Sequence, residues 1–92
     1  MQQRPAGYDR VFACGTSSQR VLAENPRRAY ALLVNDGSAT IYIRLGLPAV
    51  ANQGIRLNAS GGSYEITWLN LWQGEVYAIG DATNPSLLVT EY

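Results

Sequence analysis

The residue types that most often perform chemistry in proteins are scarce in this chain. The sequence contains no histidine and one cysteine, Cys14. The absence of histidine removes the commonest general base, the usual base of a catalytic triad and the most frequent zinc ligand. Because Cys14 has no imidazole to activate it, we interpret it as a small buried residue. We therefore expect no catalytic residue, no cofactor and no metal ion, and we expect that the protein is not an enzyme.

The acidic residues and the glycines also lack the spacing of a known site. The acids are spread singly along the chain. Two of them could meet in space as a glycosidase-type pair, but isolated acids in turns and on strand faces are normally solvated, and a calcium loop needs them clustered. Gly61 and Gly62 lie between two predicted strands, with no lysine and no following helix, which excludes a P-loop or a dinucleotide fingerprint. We interpret them as the turn glycines of a hairpin.

Two tryptophans form a more specific pattern. Trp68 and Trp72 are four residues apart, so on one continuous strand they would share a face at a separation of about 13 Å. Such a pair could stack on a sugar as a carbohydrate-binding platform. The alternative is that Trp68 belongs to the core, while Trp72 packs at the sheet edge or on a neighbouring molecule. Leu69 and Leu71 interrupt the alternation of a strand, which favours the alternative.

Two segments have the composition of protein-contact surfaces. The segment after Trp68 is rich in large apolar residues, and exposed apolar patches often mark contacts with other proteins. Arginines and aromatic residues near the N-terminus are of the types enriched in interfaces, and such a segment could add to the edge of a neighbour's sheet. A frayed terminus is the alternative. The predicted partner-binding residues are Arg4, Tyr8, Arg10, Phe12, Leu69, Leu71 and Trp72.

Length and charge restrict the class of protein. The 92 residues make one domain with one modest core, and a chain of this size hides roughly 60–68% of its unfolded surface. Seven acidic residues cancel seven arginines, so we expect no nucleic-acid partner and no membrane partner. No apolar run approaches the roughly 18 residues of a membrane span, and residues 1–18 lack the pattern of a signal peptide. We expect the protein to stay where it is made or to enter an assembly there.

The chain divides into an N-terminal arm and a domain of β-strands. Residues 1–18 mix proline, glycine and isolated apolar residues without a sustained period, which indicates an extended, irregular arm. Residues 19–92 contain short β-branched and aromatic runs between turn signals, with no helical stripe. The predicted strands cover 19–22, 29–34, 40–45, 54–58, 64–68, 76–79 and 87–92, with residues 69–74 as a connection.

The turn signals indicate the topology. Asn35-Asp36-Gly37-Ser38 separates strands 29–34 and 40–45, so we predict a hairpin there. Short strands separated by turn signals are typical of a sandwich or a small barrel. We therefore predict an all-β fold, a small β-sandwich or barrel of six to seven short antiparallel strands with an extended N-terminal arm.

The stretch from Arg28 to Glu91 resembles a recurrent pattern in small phage virion proteins. The resemblance covers about two-thirds of the chain and leaves most of the arm outside it. Its motifs are the lead Asn25-Pro26-Arg27-Arg28, the apolar strand ending in Asn35, Ile41-Tyr42-Ile43, the loop with Gly46, Gly54-Ile55-Arg56-Leu57, Gly61-Gly62, Gly74-Glu75-Val76-Tyr77-Ala78-Ile79 and Leu88-Val89-Thr90-Glu91.

Among such proteins the chain is similar to head decoration (cement) proteins and to domains of head or tail fibres. The resemblance implies a domain that binds the capsid surface and stabilises the shell by contact, with the major capsid protein as its partner. It also implies a homo-oligomer, with a trimer as the candidate state, located on the capsid surface of the virion and in the host cytoplasm during assembly. The second hypothesis is a carbohydrate- or receptor-binding module of a phage fibre or tail that uses Trp68 and Trp72.

Overall fold

The computed structural model describes residues 8–81 and 86–92, which form eight antiparallel β-strands and no helix. The strands form two four-stranded sheets, with the order β1-β8-β3-β6 in sheet A and β2-β7-β4-β5 in sheet B. The all-β prediction is confirmed, and the arrangement is sandwich-like rather than a closed barrel. The strands are β1 Tyr8–Ala13, β2 Gln19–Leu22, β3 Ala31–Asn35, β4 Ile41–Leu45, β5 Ile55–Leu57, β6 Ser63–Ile66, β7 Val76–Gly80 and β8 Ser86–Glu91.

The core forms between the inward faces of the two sheets. Successive side chains of a strand point to opposite faces, and β3 accordingly alternates buried Ala31, Leu33 and Asn35 with half-buried Leu32 and Val34. The same alternation recurs in β7 and β8. The buried cluster is made of Cys14, Val21, Leu22, Ala31, Leu33, Ile41, Ile43, Leu57, Ile66, Val76, Ala78, Leu87 and Val89.

The connection predicted as a hairpin after strand 29–34 is instead a crossing between the sheets. β3 pairs with β8 and β6 in sheet A, whereas β4 pairs with β7 and β5 in sheet B. The Gly61–Gly62 turn likewise links β5 of sheet B to β6 of sheet A. Among the described strands, β4 and β5 are the only sequence neighbours that pair with each other. Both hairpin predictions were wrong because a turn signal reverses the chain without fixing which strand the next one pairs with.

Buried Asn35 joins these two crossings. Its backbone N–H donates to the carbonyl of Gly62 at 2.8 Å, and its own carbonyl accepts the N–H of Gly61 at 2.7 Å. Its side-chain amide donates to the carbonyls of Ala39 at 2.7 Å and Leu57 at 3.0 Å. A buried polar side chain is costly unless it is hydrogen-bonded. These partners therefore explain how an asparagine can occupy a core position.

The irregular arm predicted over residues 1–18 is contradicted at residues 8–13, whereas residues 14–18 lie outside every strand. Tyr8–Ala13 forms β1, an edge strand that pairs with β8 along its whole length, and this strand raises the count to eight. Residues 1–7, including Arg4, lie outside the described residues. The strand was missed because Phe12 packs against the core while Val11, on the opposite face, is also apolar and is 70% exposed. Apolar residues on both faces remove the period of two that identifies a half-buried strand.

Arg28 is fully buried and holds three parts of the chain together. Its Nε donates to the Glu91 carboxylate at 2.7 Å. One terminal nitrogen donates to the carbonyls of Trp72 at 2.8 Å and Gly74 at 2.9 Å, and the other donates to the carbonyl of Ala23 at 2.6 Å. A guanidinium suits this role because it presents several donors in a rigid planar fork. The last strand, the 69–74 connection and the segment before β3 therefore meet at one side chain.

Further hydrogen bonds join the 69–74 connection to the 23–28 segment. The N–H of Asn25 donates to the carbonyl of Gln73 at 2.8 Å, and the side-chain amide of Gln73 donates to the carbonyl of Pro26 at 2.9 Å. Residues 69–74 lie outside every strand, which confirms their prediction as a connection. This connection is therefore fixed by polar contacts rather than by a sheet ladder.

We expect Arg28→Ala to lower the free energy of unfolding by about 3–5 kcal/mol, because it leaves the partly buried Glu91 carboxylate unpaired and three carbonyls without their donor. Urea denaturation at low temperature measures the change. Arg27→Ala, at the exposed neighbouring position, is the matched control and should stay within about 0.5 kcal/mol of the wild type.

If Arg28→Ala does not fold, Glu91→Gln tests the same ion pair with less disruption and should destabilise the domain more than Glu24→Gln does. Equal stability of the Arg28 and Arg27 variants, or of the two glutamine variants, would contradict the role given to this ion pair.

Candidate functional site

A tight turn over residues 67–70 follows β6 and is fixed by the side chain of Asn70. The Asn70 Oδ1 accepts the backbone N–H of Thr67 at 2.8 Å and its hydroxyl at 3.1 Å. The Asn70 Nδ2 donates to the Tyr64 hydroxyl at 3.1 Å and to the Glu65 carbonyl at 3.0 Å. Asparagine favours turns because its side chain can satisfy nearby backbone groups in this way. The turn is therefore ordered although it lies at the surface.

The turn presents two large apolar side chains to solvent. Trp68 is 80% exposed and Leu69 is 78% exposed. The prediction that Trp68 continues the core face of β6 was wrong, because the turn ends the strand at Ile66 and the alternation stops there. A side chain held on an ordered turn loses less conformational freedom when it is bound than one on a mobile loop. The pair thus has the exposure and the order that a binding contact needs.

Trp72 has a different environment from Trp68. Its ring is partly buried and packs against the core, and its Nε1 donates to the carbonyl of Glu75 at 2.9 Å. The ring lies against two glycines, and a Cβ at Gly46 or Gly74 would come within 2.9 Å or 2.6 Å of it. A flat platform would need both indoles exposed on one strand. The structure therefore does not bring the two tryptophans together as a sugar platform.

An apolar cleft of about 620 Å³ lies beside the turn. The Tyr30 and Tyr92 rings contribute to its wall and lie 5.6 Å apart, tilted by 56°. The Tyr30 hydroxyl donates to the Glu65 carboxylate at 2.7 Å, and this hydrogen bond, with a smaller effect of burial, raises the pKa of Tyr30. The ring is thus neutral at ordinary pH. The lining residues are Ala29, Tyr30, Thr67, Trp68, Leu69 and Tyr92.

Among the other predicted partner-binding residues, Leu71, Arg10 and Phe12 are not part of the cleft lining. Leu71 is 43% exposed and lies on the 69–74 connection. Arg10 is exposed on β1, and Phe12 packs against the core. Tyr8 begins β1, but its side chain is outside the described part of the structure, as is the whole of Arg4. Their roles in binding stay predictions.

Sequence reasoning missed the two tyrosines of the cleft. Strand alternation could have placed Tyr30 opposite buried Ala31, on an outward face. No sequence pattern, however, indicated that β3 and β8 are neighbours, and it is this pairing that brings Tyr30 and Tyr92 together. The contact depends on an interaction between residues far apart in the chain, which local periodicity does not contain.

Glu75 and Cys14 are titratable residues away from the cleft whose pKa values are shifted by their surroundings. Glu75 accepts hydrogen bonds from Arg20 and from the Tyr77 hydroxyl, both at 3.0 Å. The Arg20 bond, followed by the Tyr77 bond, lowers the pKa of Glu75. Cys14 is buried as predicted, and burial raises the pKa of its thiol to about 11. Among the described residues, no group of three or more histidine, cysteine or acidic side chains is arranged to hold a metal ion.

Comparison with known protein families, curated proteins and solved structures finds no match to this chain. The described residues also include no helix that is long and apolar enough to cross a membrane. The candidate site is thus an ordered apolar turn beside an aromatic cleft.

Replacing the two tryptophans separately should give different stabilities. Trp72→Ala removes a ring packed against the core, so we expect the free energy of unfolding to fall by about 3 kcal/mol, the lower end of the range for aromatic core residues. Trp68→Ala removes a solvent-exposed ring and should change it by no more than about 0.5 kcal/mol. Urea denaturation of both variants measures the difference, and equal losses would contradict the environments described here.

Cys14 should be unreactive in the folded protein. With its pKa raised to about 11, about one thiol in a thousand is ionised at pH 8, and the thiolate is the species that reacts. Labelling with a thiol-specific reagent should therefore be slow in buffer and complete within minutes in concentrated guanidinium chloride. Rapid labelling under native conditions would show that this part of the core is open.

Proposed function

We propose that this domain is a structural protein of a phage virion, which binds the capsid surface and stabilises the shell. The observation on which the proposal rests is the turn that holds Trp68 and Leu69 at 80% and 78% exposure beside an apolar cleft. Large apolar side chains in such positions are characteristic of protein-contact sites, and tryptophan is enriched among the residues that dominate binding energy.

Burial of these two side chains would provide enough free energy for a function based on contact. Burying an apolar side chain of this size contributes roughly 1.5–3 kcal/mol, and the ordered turn reduces the entropy lost on binding. Repeated over the many equivalent sites of a shell, such contacts would add buried area across the joints between capsid subunits. The support for a capsid as the partner is the resemblance of residues 28–91 to small phage virion proteins.

The proposal includes the major capsid protein as partner and the capsid surface as location, after assembly in the host cytoplasm. It also includes a homo-oligomer, with a trimer as the candidate state. A domain of 92 residues has a small core, so additional area buried between copies would add to a marginal stability.

The alternative function is a carbohydrate- or receptor-binding module of a phage fibre or tail. The observation that favours it is the grouping of Trp68 with the Tyr30 and Tyr92 rings around the cleft. In this alternative the exposed indole stacks on a sugar, and the tyrosines replace Trp72 as its aromatic partners. The variant Trp72→Phe retains Trp68 as its single tryptophan, so a saturable fluorescence change on addition of a glycan would report this site.

The direct test of the proposal is binding to purified shells of the major capsid protein. We expect Trp68→Ala with Leu69→Ala to weaken binding at least about tenfold, because two side chains that dominate the contact are lost. The double variant Leu47→Ala with Val50→Ala is the matched control, since it removes two exposed apolar residues from another loop. Full shell occupancy by the Trp68 and Leu69 variant would refute this binding site, and failure of the wild type to bind shells would refute the proposed function.

A further inference from the structure

The apolar surface of the cleft continues across the outward face of sheet A. The strand register places Val11 of β1 beside Leu88 of β8, and Leu88 beside Val34 of β3. In the next row toward the cleft, Leu32 of β3 faces outward with Thr90 of β8. Leu32, Val34, Leu88 and Thr90 alternate with buried residues of β3 and β8, and Val11 lies next to Phe12, which packs against the core, so these side chains point away from the core.

Tyr30 and Tyr92 extend this face at its end. Tyr30 lies two residues before Leu32, and Tyr92 lies two residues after Thr90, so both are at outward positions. The N–H of Tyr92 donates to the carbonyl of Tyr30 at 2.9 Å, which continues the pairing of β3 and β8. Beyond them lie Trp68 and the cleft. We call this continuous surface the outer face of sheet A. It is formed by Val11, Leu32, Val34, Leu88, Tyr30, Tyr92, Trp68 and Leu69.

Two acidic residues lie at opposite margins of the outer face. The register Asp9–Thr90–Leu32–Glu65 forms one row across all four strands, so the two acids are three strand spacings, or about 14 Å, apart. Asp9 accepts a hydrogen bond from the Thr90 hydroxyl at 3.0 Å, and Glu65 accepts one from the Tyr30 hydroxyl at 2.7 Å. These bonds hold both carboxylates on the outer face.

The strands of sheet A provide no positive charge to balance these acids. Within the four described strands, Arg10 is the one basic residue, and it alternates with Asp9 and Val11 and therefore lies on the other face of β1. Within these four strands, the outer face thus has an apolar centre with an acidic residue at each of two margins, although the whole chain has no net charge.

We propose that the outer face of sheet A docks a protein surface that has an apolar centre and basic residues on two sides, spaced to meet Asp9 and Glu65. This inference deepens the proposed function and rests on it for the identity of the partner as the capsid. The charge pattern argues against a second copy of this chain as the occupant. In a symmetric face-to-face pair whose two-fold axis passes through the row that ends in two acids, acidic residues would lie against acidic residues, and opposed like charges are unfavourable.

The partner chemistry can be tested without a capsid. The isotope-labelled domain is titrated with a short synthetic peptide of alternating leucine and lysine, and separately with its leucine and glutamate counterpart, while backbone amide signals are followed by NMR. We expect the lysine peptide to shift signals from residues 32, 34, 88 and 90 and from the 67–70 turn, and the glutamate peptide to leave them unchanged. Shifts confined to sheet B, or equal binding of both peptides, would overturn the proposal. Shifts that depend on protein concentration without peptide would overturn it in favour of self-association.

Variants that remove the two acidic charges test the electrostatic part of this proposal. Asp9→Asn with Glu65→Gln should weaken binding of the lysine peptide about fivefold and reduce its salt dependence, because two exposed ion pairs are lost. Asp81→Asn with Glu24→Gln changes the net charge equally at exposed positions outside the outer face and should have no effect. Equal weakening of peptide binding by both double variants would contradict the assignment of Asp9 and Glu65 to the docking surface.

The same variants on purified shells separate this proposal from the proposed function. If the wild type binds the lysine peptide as expected but not the shells, the outer face is supported as a docking surface and the capsid is refuted as its partner. If the wild type binds shells and the Asp9 and Glu65 variant binds them equally well, the capsid is supported as the partner and the role of the two acids in docking is refuted.

Discussion

The buried guanidinium of Arg28 is the interaction on which the candidate site depends. It ties Glu91 of β8 to the carbonyls of Trp72 and Gly74 and to the segment before β3. Without it, the 69–74 connection would lose the two hydrogen bonds at the Trp72 and Gly74 carbonyls, and it has no sheet ladder of its own to replace them. The exposed turn, residues 67–70, overlaps the start of this connection. An internal charge therefore fixes the position of an external apolar contact, at the cost of desolvating an ion pair.

A second polar residue has the same function at the other end of the domain. Asn35 satisfies backbone groups of two connections that cross between the sheets. Since nearly all consecutive strands described here lie in different sheets, short local pairings cannot hold the fold together. Buried hydrogen bonds at the crossings fix how the strands pass between the two sheets, and the apolar core provides most of the stability.

The sequence was sufficient to predict the fold class and most strand positions, because period-two alternation is local. It was not sufficient to predict which strands pair with each other, since the turn at residues 35–38 reverses the chain without determining the strand with which β4 pairs. Leu69 was predicted as a contact residue from broken alternation, and the structure shows that it is exposed. Trp68 was misassigned to the core because the alternation was extended past Ile66. Tyr30 and Tyr92 were missed because they meet only through the pairing of β3 with β8.

The central claim is that the turn bearing Trp68 and Leu69 is ordered before any partner binds. Nitrogen-15 relaxation of the free domain tests it most directly. We expect backbone order parameters of about 0.85 for residues 67–70, equal to those of the strands. Values below about 0.6 in the turn, with rigid strands around it, would mean that Trp68 and Leu69 lie on a mobile loop, and would contradict the account.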